Sequence, residues 1–369
     1  MEGPFPGHLS LPSHDRLVTV GRMTTNKGWA GGLLAALLWC GAALAGTTAS
    51  TEDTIWTRIS AGMRMVDPEH PEVIRWARHY ARHPHHFSQM LARSEPFLWY
   101  IVEAVELRDM PLEIALLPAV ESGFDARATS ARKAGGLWQF VPTTSQAMGL
   151  TSGAHYDARG DVIASTRAAL TYLYTLHDSF DNWLLALAAY NVGRGNLLQA
   201  IRAADSRSFW DLELPRETRE HVPRLLGLAL LIQQPQRFGV TLPAIANRQA
   251  GRSLALKRPI DLEAAARAAG ISVAELRRYN PGLRYLRDTT GKGFVLVADT
   301  DADALEAVLD TTHFPPQPPP GRKVVVVAPG DSLWLIARRH QVSVAALCAW
   351  NRIKPDSILR PGRELVIEI

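Results

Sequence analysis

The stretch AVESGFDARATSARKAGGLWQF, Ala119–Phe140, ends an apolar run on a glutamate, Glu121, and then passes through small residues and a glycine pair to Leu137-Trp138-Gln139. A carboxylate is costly to bury without a partner. Beneath Leu116, Leu117 and Val120, and at the negative end of a helix, the charged form is disfavoured. Those are the conditions for a general acid that protonates a leaving oxygen. A solvated helix-end glutamate is the plainer alternative, and spacing does not choose between them. A two-carboxylate glycosidase needs a partner group. Asp125 is nearest, but it lies where the chain leaves the helix and suits a local turn hydrogen bond better.

Two other short motifs carry polar groups on apolar supports. GLWQF offers glycine for close backbone approach, Trp138 for packing and Gln139 as amide donor and acceptor. AAYN sets Tyr190 and Asn191 at the end of an apolar helix, where a buried phenol needs a partner. Core packing with satisfied polar tips explains each equally well in isolation. His79, His83, His85 and His86 cluster, with His79 and His83 one helical turn apart. No carboxylate motif accompanies them, so a solvated basic face is expected rather than a metal site.

The elements that must position these groups are helical. Leu112–Gly123 reads as a helix with a break or kink at Pro118. Asp161 caps a helix with Ile163, Leu170, Leu173 and Leu176 on one face. Asn182–Tyr190 is apolar all round and therefore central, ending at a glycine-bearing exit. Val222–Phe238 gives another helix. No strand is expected between Thr51 and Phe238. After Leu242 the character changes. Lys257–Ala298 mixes short helices with a β-branched end, His313–Gly321 is a proline-rich spacer, and the remainder reads as strand, helix, helix, strand. In that last module Val324–Val327 is the first strand, Asp331 or Ser332 caps a helix through Arg339, Ser343 caps a second, and Leu365–Ile369 closes. ISVAELRRYNPGL (Ile271–Leu283) is a weak repeat of VSVAALCAWNRIK (Val342–Lys354), which suggests tandem binding modules whose two weak sites raise avidity.

The 369 residues suffice for two or three domains. The net charge of +4 is mildly basic, but no Lys/Arg run is dense enough to point to nucleic acid. Cys40 and Cys348 leave no CxxC for zinc. Residues Gly28–Ala45 carry no charge, follow Arg22 and Lys27, and end in Ala43-Leu44-Ala45. This is an expected signal peptide cleaved before Gly46, with Met23 as the more natural start. The run also approaches the ~18 residues of a membrane anchor, so membrane association stays open. Trp39 argues against lipidation of Cys40.

Three motifs in order, VESGFDARATSARKAGGLWQF, DNWLLALAAYNVGRGN and LPRETREHVPRLLGLALL, resemble the lytic transglycosylases with a goose-lysozyme-like domain. The C-terminal segment from Val324 resembles a LysM domain, and Ile260–Ala298 resembles a degenerate one. The resemblance covers about Thr51–Ile369. It implies a mainly α, lysozyme-like catalytic domain followed by small α+β (βααβ) LysM modules. The expected order is an N-terminal extension and signal peptide (1–45), a helical catalytic domain (46–245, core about 100–238), a degenerate module (255–300), a linker (301–321) and a LysM domain (322–369). Glu121 matches the family's single catalytic acid/base. Ser130, Gln139, Tyr190, Asn191 and Glu217 match substrate-binding positions, and Asp331, Ser332, Ile353 and Pro355 match a glycan-binding groove. Val141, Arg194 and His221 depart from residues common in relatives, His221 standing where tyrosine is usual, and Arg132 and Lys133 occupy a turn usually made of small residues. The activity implied is non-hydrolytic cleavage of the MurNAc–GlcNAc bond of peptidoglycan by an exported envelope protein. No cofactor, metal or nucleic acid is expected, and a monomer is. A hydrolytic muramidase on the same fold and a non-catalytic peptidoglycan-binding protein are the alternatives.

Overall fold

The computed structural model describes residues 54–153, 155–288, 293–316 and 322–368. The expected signal segment and Cys40 lie outside them. The chain from Thr54 to about Ala246 is helical, with α1 (Ile55–Ala61), α2 (Pro71–Ala81), α3 (Pro84–Ser94), α4 (Leu98–Glu106), α5 (Leu117–Ser122), α6 (Pro142–Ala147), α7 (Val162–Phe180), α8 (Trp183–Val192), α9 (Arg194–Ala204) and α10 (Arg216–Gln233). Among the described residues no helix is long and apolar enough to cross a membrane. The two ends of this domain meet, because Ile55 N donates to Ile245 O (3.0 Å) and Trp56 Nε1 to Pro243 O (2.7 Å).

Helix starts follow local capping chemistry. Asp161 Oδ1 accepts from Ala164 N at 2.8 Å, and Asn182 Oδ1 accepts from Leu184 N and Leu185 N. The apolar run after Asn182 is central as expected: Leu185 to Ala189 are fully buried between α7, α9 and α10. It extends two residues beyond Tyr190, so Asn191 is still helical.

Two helices differ from the sequence reading. Leu112–Gly123 is not one helix but a 3-10 turn, Leu112–Leu116, followed by α5. Pro118 lies in the first turn of α5, where its missing N–H has no intrahelical partner to lose. Helix α10 begins at Arg216, ahead of the expected Val222, and carries Pro223 inside it. The apolar periodicity starts only at Val222. The polar turn before it is supported by Glu220, which pairs with Arg216 and Arg224 one turn away on either side. One carboxyl group that the sequence did not single out is fully buried away from the cleft described below. Glu113 Oε1 accepts from the backbone N–H groups of Arg64, Met65 and Val66, and burial pushes the carboxyl above its usual range.

Beyond this domain a βααβ module is built from β1 (Gly251–Ala255), β2 (Ile260–Asp261), α11 (Leu262–Ala268), α12 (Val273–Tyr279), β3 (Arg287–Asp288) and β4 (Phe294–Ala298). Strand β1 pairs antiparallel with β4, and β2 with β3. Its first strand begins ahead of the expected 255. Residues 301–311, expected as linker, lie instead in helix α13 (Asp299–Thr311). The reason is a helical apolar face. Ala302 and Leu305 are fully buried in the module's core, with Val308 and Leu309 against it.

The C-terminal module has β5 (Arg322–Val326) antiparallel to β6 (Glu364–Glu368), with α14 (Leu333–Arg339) and α15 (Val344–Asn351) between them. Ser332 and Ser343 cap the two helices. The repeat seen in the sequence is structural. Asn280 and Asn351 each donate from Nδ2 to the carbonyl one turn back (Leu276, Leu347) and to a strand carbonyl (Leu296, Val366). Each then accepts from that same strand residue's N–H.

Candidate active site

Glu121 sits in the last turn of α5, which stops at Gly123 in the left-handed conformation (φ +61°). The next residue, Ser122, places its Oγ 3.0 Å from Pro118 O and 2.9 Å from Leu137 O, tying the helix end to the glycine turn. That turn is tight. Ser130 N donates to Ala134 O, Lys133 N to Ser130 O, and Gly135 and Phe140 exchange N–H···O bonds. Asp125 Oδ1 accepts from Arg127 N at 2.9 Å and is exposed, the local turn role expected of it.

Gln139 adopts a left-handed backbone (φ +48°) and donates from Nε2 to Gly136 O (2.9 Å) and Ala128 O (3.3 Å). Its amide nitrogen is therefore engaged by the turn, and the oxygen remains for a ligand. Trp138 is fully buried and donates to Thr166 Oγ1 on α7 (3.0 Å). Tyr190 on α8 donates to Trp138 O at 2.7 Å. Burial, then nearby Glu121 and Tyr172, push the Tyr190 phenol well above its usual range, so it stays a donor. Asn191 Oδ1 accepts from Thr218 Oγ1 on α10 at 2.7 Å.

The third wall is α10. His221 Nε2 lies 2.7 Å from Glu121 Oε1, and both side chains are largely buried. His221 Nδ1 is buried with no partner. Placing the proton on Nε2 leaves no buried N–H unpaired. In that tautomer Nε2 donates to Oε1, and Oε2 of Glu121 is left for the cleft.

The cleft has a volume of about 410 Å³ and is lined by Glu121, Ser130, Gln139, Tyr190, Asn191 and Glu217, with Arg132, Val141, Tyr172 and Gly193 among the others. All six positions named from the sequence in this domain thus meet in one place. Of its partners, sequence reasoning missed Tyr172, and it noted His221 only as a departure. The signal for His221 was present: a histidine one turn after Glu217 lies on the same face of a helix.

In the C-terminal module the named groups are used locally. Asp331 accepts from Ala328 N (2.9 Å) and pairs with Arg339 (2.9 Å). Those bonds hold its carboxyl below the usual range. Ser332 Oγ caps α14. Ile353 is half-buried and Pro355 exposed. The histidines of α2 and the following turn pack on one another, His79 lying 5.0 Å from the Trp76 ring and 5.2 Å from His83.

A lysozyme-like helical domain with Glu121, paired to His221, at the wall of an aromatic and amide-lined cleft, followed by βααβ modules, defines a glycan-cleaving class. Residues 101–212 match the Transglycosylase SLT domain, 325–368 the LysM domain, and 252–294 the LysM-like domain of the lytic transglycosylase MltD. Membrane-bound lytic murein transglycosylase D of Escherichia coli (strain K12) is 36% identical over 336 residues, which cover 87% of this chain and 74% of that protein. The chain belongs to the membrane-bound lytic murein transglycosylase D family. A protein of Alteromonas sp. (strain M-1) named for tributyltin chloride resistance is 38% identical over 160 residues, 42% of this chain and 76% of its own. A solved chain, an inactive mutant of the lytic transglycosylase Slt from Pseudomonas aeruginosa, aligns over 43% of this chain and 26% of its own at 24% identity. Its TM-score of 0.33 is too low to add to the sequence matches.

Proposed function

We propose that this chain is a peptidoglycan lytic transglycosylase of the cell envelope in which Glu121 is the only acid/base. The observation that carries the reading is the Glu121–His221 pair at the wall of a cleft holding all the expected substrate positions. His221 donates to Oε1 whether the carboxyl is charged or neutral, so the acid proton resides on Oε2. That proton passes to the glycosidic oxygen as the bond from the MurNAc C1 breaks, with the substrate's N-acetyl group assisting. The Oε2 carboxylate then takes the proton of the sugar's own 6-hydroxyl as that oxygen closes on C1. No water enters, and the product is 1,6-anhydromuramic acid. Gln139 through its oxygen, with Ser130, Asn191 and the Tyr190-supported turn, orients the sugar.

One observation favours hydrolysis as a second reading, since Glu217 also lines the cleft and is a carboxylate. Mass spectrometry of sugars released from purified peptidoglycan decides. Products lighter by one water than muramic-acid ends support transglycosylation, and reducing muramic-acid ends as the main product overturn it.

His221 can be tested directly. His221→Phe removes the donor to Oε1 and should lower turnover by roughly 10²-fold, the scale of losing one well-placed partner group. His221→Tyr supplies a hydroxyl donor, as relatives often do, and should restore most of the rate. Equal activity in wild type and Phe variant would remove His221 from the machinery.

The LysM match supports binding to the wall by the C-terminal module. Removing residues 322–369 should weaken co-sedimentation with insoluble peptidoglycan, and unchanged sedimentation would exclude that role. The uncharged Gly28–Ala45 run supports export, and the name of the relatives supports a membrane-associated place in the envelope.

A further inference from the structure

From their first strands through their helix caps the two βααβ modules correspond position for position. Asp261 and Ser332 cap the first helices, Ser272 and Ser343 the second, and Asn280 and Asn351 make the same bonds. The glycan groove that the LysM resemblance implies for the C-terminal module, at Asp331–Ser332 and Ile353–Pro355, has counterparts at Ile260–Asp261 and Gly282–Arg284.

In the first module both counterparts are covered. Ile260 and Asp261 are buried, and Asp261 N donates to Phe314 O (2.8 Å) in the segment after α13. The other lip is bonded to the helical domain. Asp157 N donates to Gly282 O (2.9 Å), Arg284 N donates to His155 O (2.9 Å), and Tyr156 bridges Leu283 antiparallel. A Cβ on Gly282 would come within 2.8 Å of Asp161 N and 3.0 Å of Asp157 O. The C-terminal module carries Ile353 at the matching position, so the module fold itself accepts a side chain there. Glycine at 282 is required by the docking.

The loop that receives this edge lies behind the catalytic turn. Arg159 donates from Nη1 to Lys133 O (2.6 Å), and its own carbonyl oxygen fills the place a Cβ on Gly136 would take. Arg127, in the same cleft-forming segment, donates to Arg277 O on α12 (2.9 Å).

We propose that the first module is a brace rather than a glycan binder. It docks by the edge its twin would offer to glycan, it stiffens the 155–161 loop and through Arg159 the turn carrying Ser130 and Gln139, and of the two modules it leaves the C-terminal one to bind the wall. The effect on turnover and the tether rest on the reaction and binding proposed above. This replaces the avidity expected from a tandem repeat.

The test uses the full chain with Gly282→Ile. Turnover should fall roughly tenfold to a hundredfold, the scale of a small misplacement at a reacting centre. Amide exchange should quicken at 155–161 while the β1–β4 amides stay protected, and co-sedimentation with peptidoglycan should not change. Wild-type turnover, or lost sedimentation, would overturn the brace. A second variant, Tyr156→Cys/Leu283→Cys, joins positions whose antiparallel pairing suits a disulfide. Oxidised and reduced forms should sediment alike and turn over alike. Weaker sedimentation on oxidation would show that the edge must open to bind glycan. A wild-type enzyme that releases no anhydro-sugars refutes the proposed reaction, whereas the exchange and sedimentation comparisons judge the brace independently.

Discussion

Glu121→Gln should lower release of anhydro-muropeptides by more than ~10⁴-fold, beyond what one acid or one base step usually contributes. Both steps need the same group, so both fail together. The fold should survive, because the amide oxygen of the variant can still accept the 2.7 Å bond from His221 Nε2. The amide nitrogen in place of Oε2 can neither release nor take up the proton. Asp125→Asn is the control. Its carbonyl oxygen keeps the bond to Arg127 N, and activity should stay within a few-fold of wild type. Rates are measured on purified peptidoglycan by counting anhydro ends. An active Glu121→Gln enzyme would move the chemistry elsewhere and end the assignment.

Gly136→Ala should destabilise the helical domain by more than ~4 kcal/mol, a range reserved for specific structural injuries. Two effects add. The backbone is at φ +80°, which costs a residue with a Cβ about 1–2 kcal/mol. The new Cβ would also lie 1.8 Å from Arg159 O, a backbone atom that cannot swing aside. Gly149→Ala isolates the first effect, since Gly149 has φ +74° and open space around its Cβ position. Thermal unfolding followed by tryptophan fluorescence should show a drop of roughly 10 °C for the first variant and a few degrees for the second. Equal shifts would mean that the turn is free to relax away from the 155–161 loop.

Much of the helical architecture was legible because its signals are local. Asp161, Asn182 and Ser343 announce helix starts within three residues of themselves, and the all-apolar run after Asn182 announces a central helix. Boundaries failed where a local signal was absent or ambiguous. The polar first turn of α10 has no apolar period, and α13 followed a strand and preceded a proline run that drew the composition reading toward linker.

By itself the sequence determined which chemical groups exist, the motifs that hold them in order, and the family they belong to. It also determined that Glu121 would lie near the C-terminal end of a helix, ahead of a glycine-bearing turn. Only the tertiary structure decided which partners those groups keep. Glu121 meets His221, one hundred residues away, because α10 packs across the end of α5. The Gln139 amide is turned inward by a left-handed backbone that no spacing reveals. The repeat near Gly282 became a docking edge because a glycine lets two backbones approach where its twin has isoleucine. Capping and periodicity act within a turn or two of chain, whereas hydrogen bonds between distant segments form only where packing brings their backbones and side chains together.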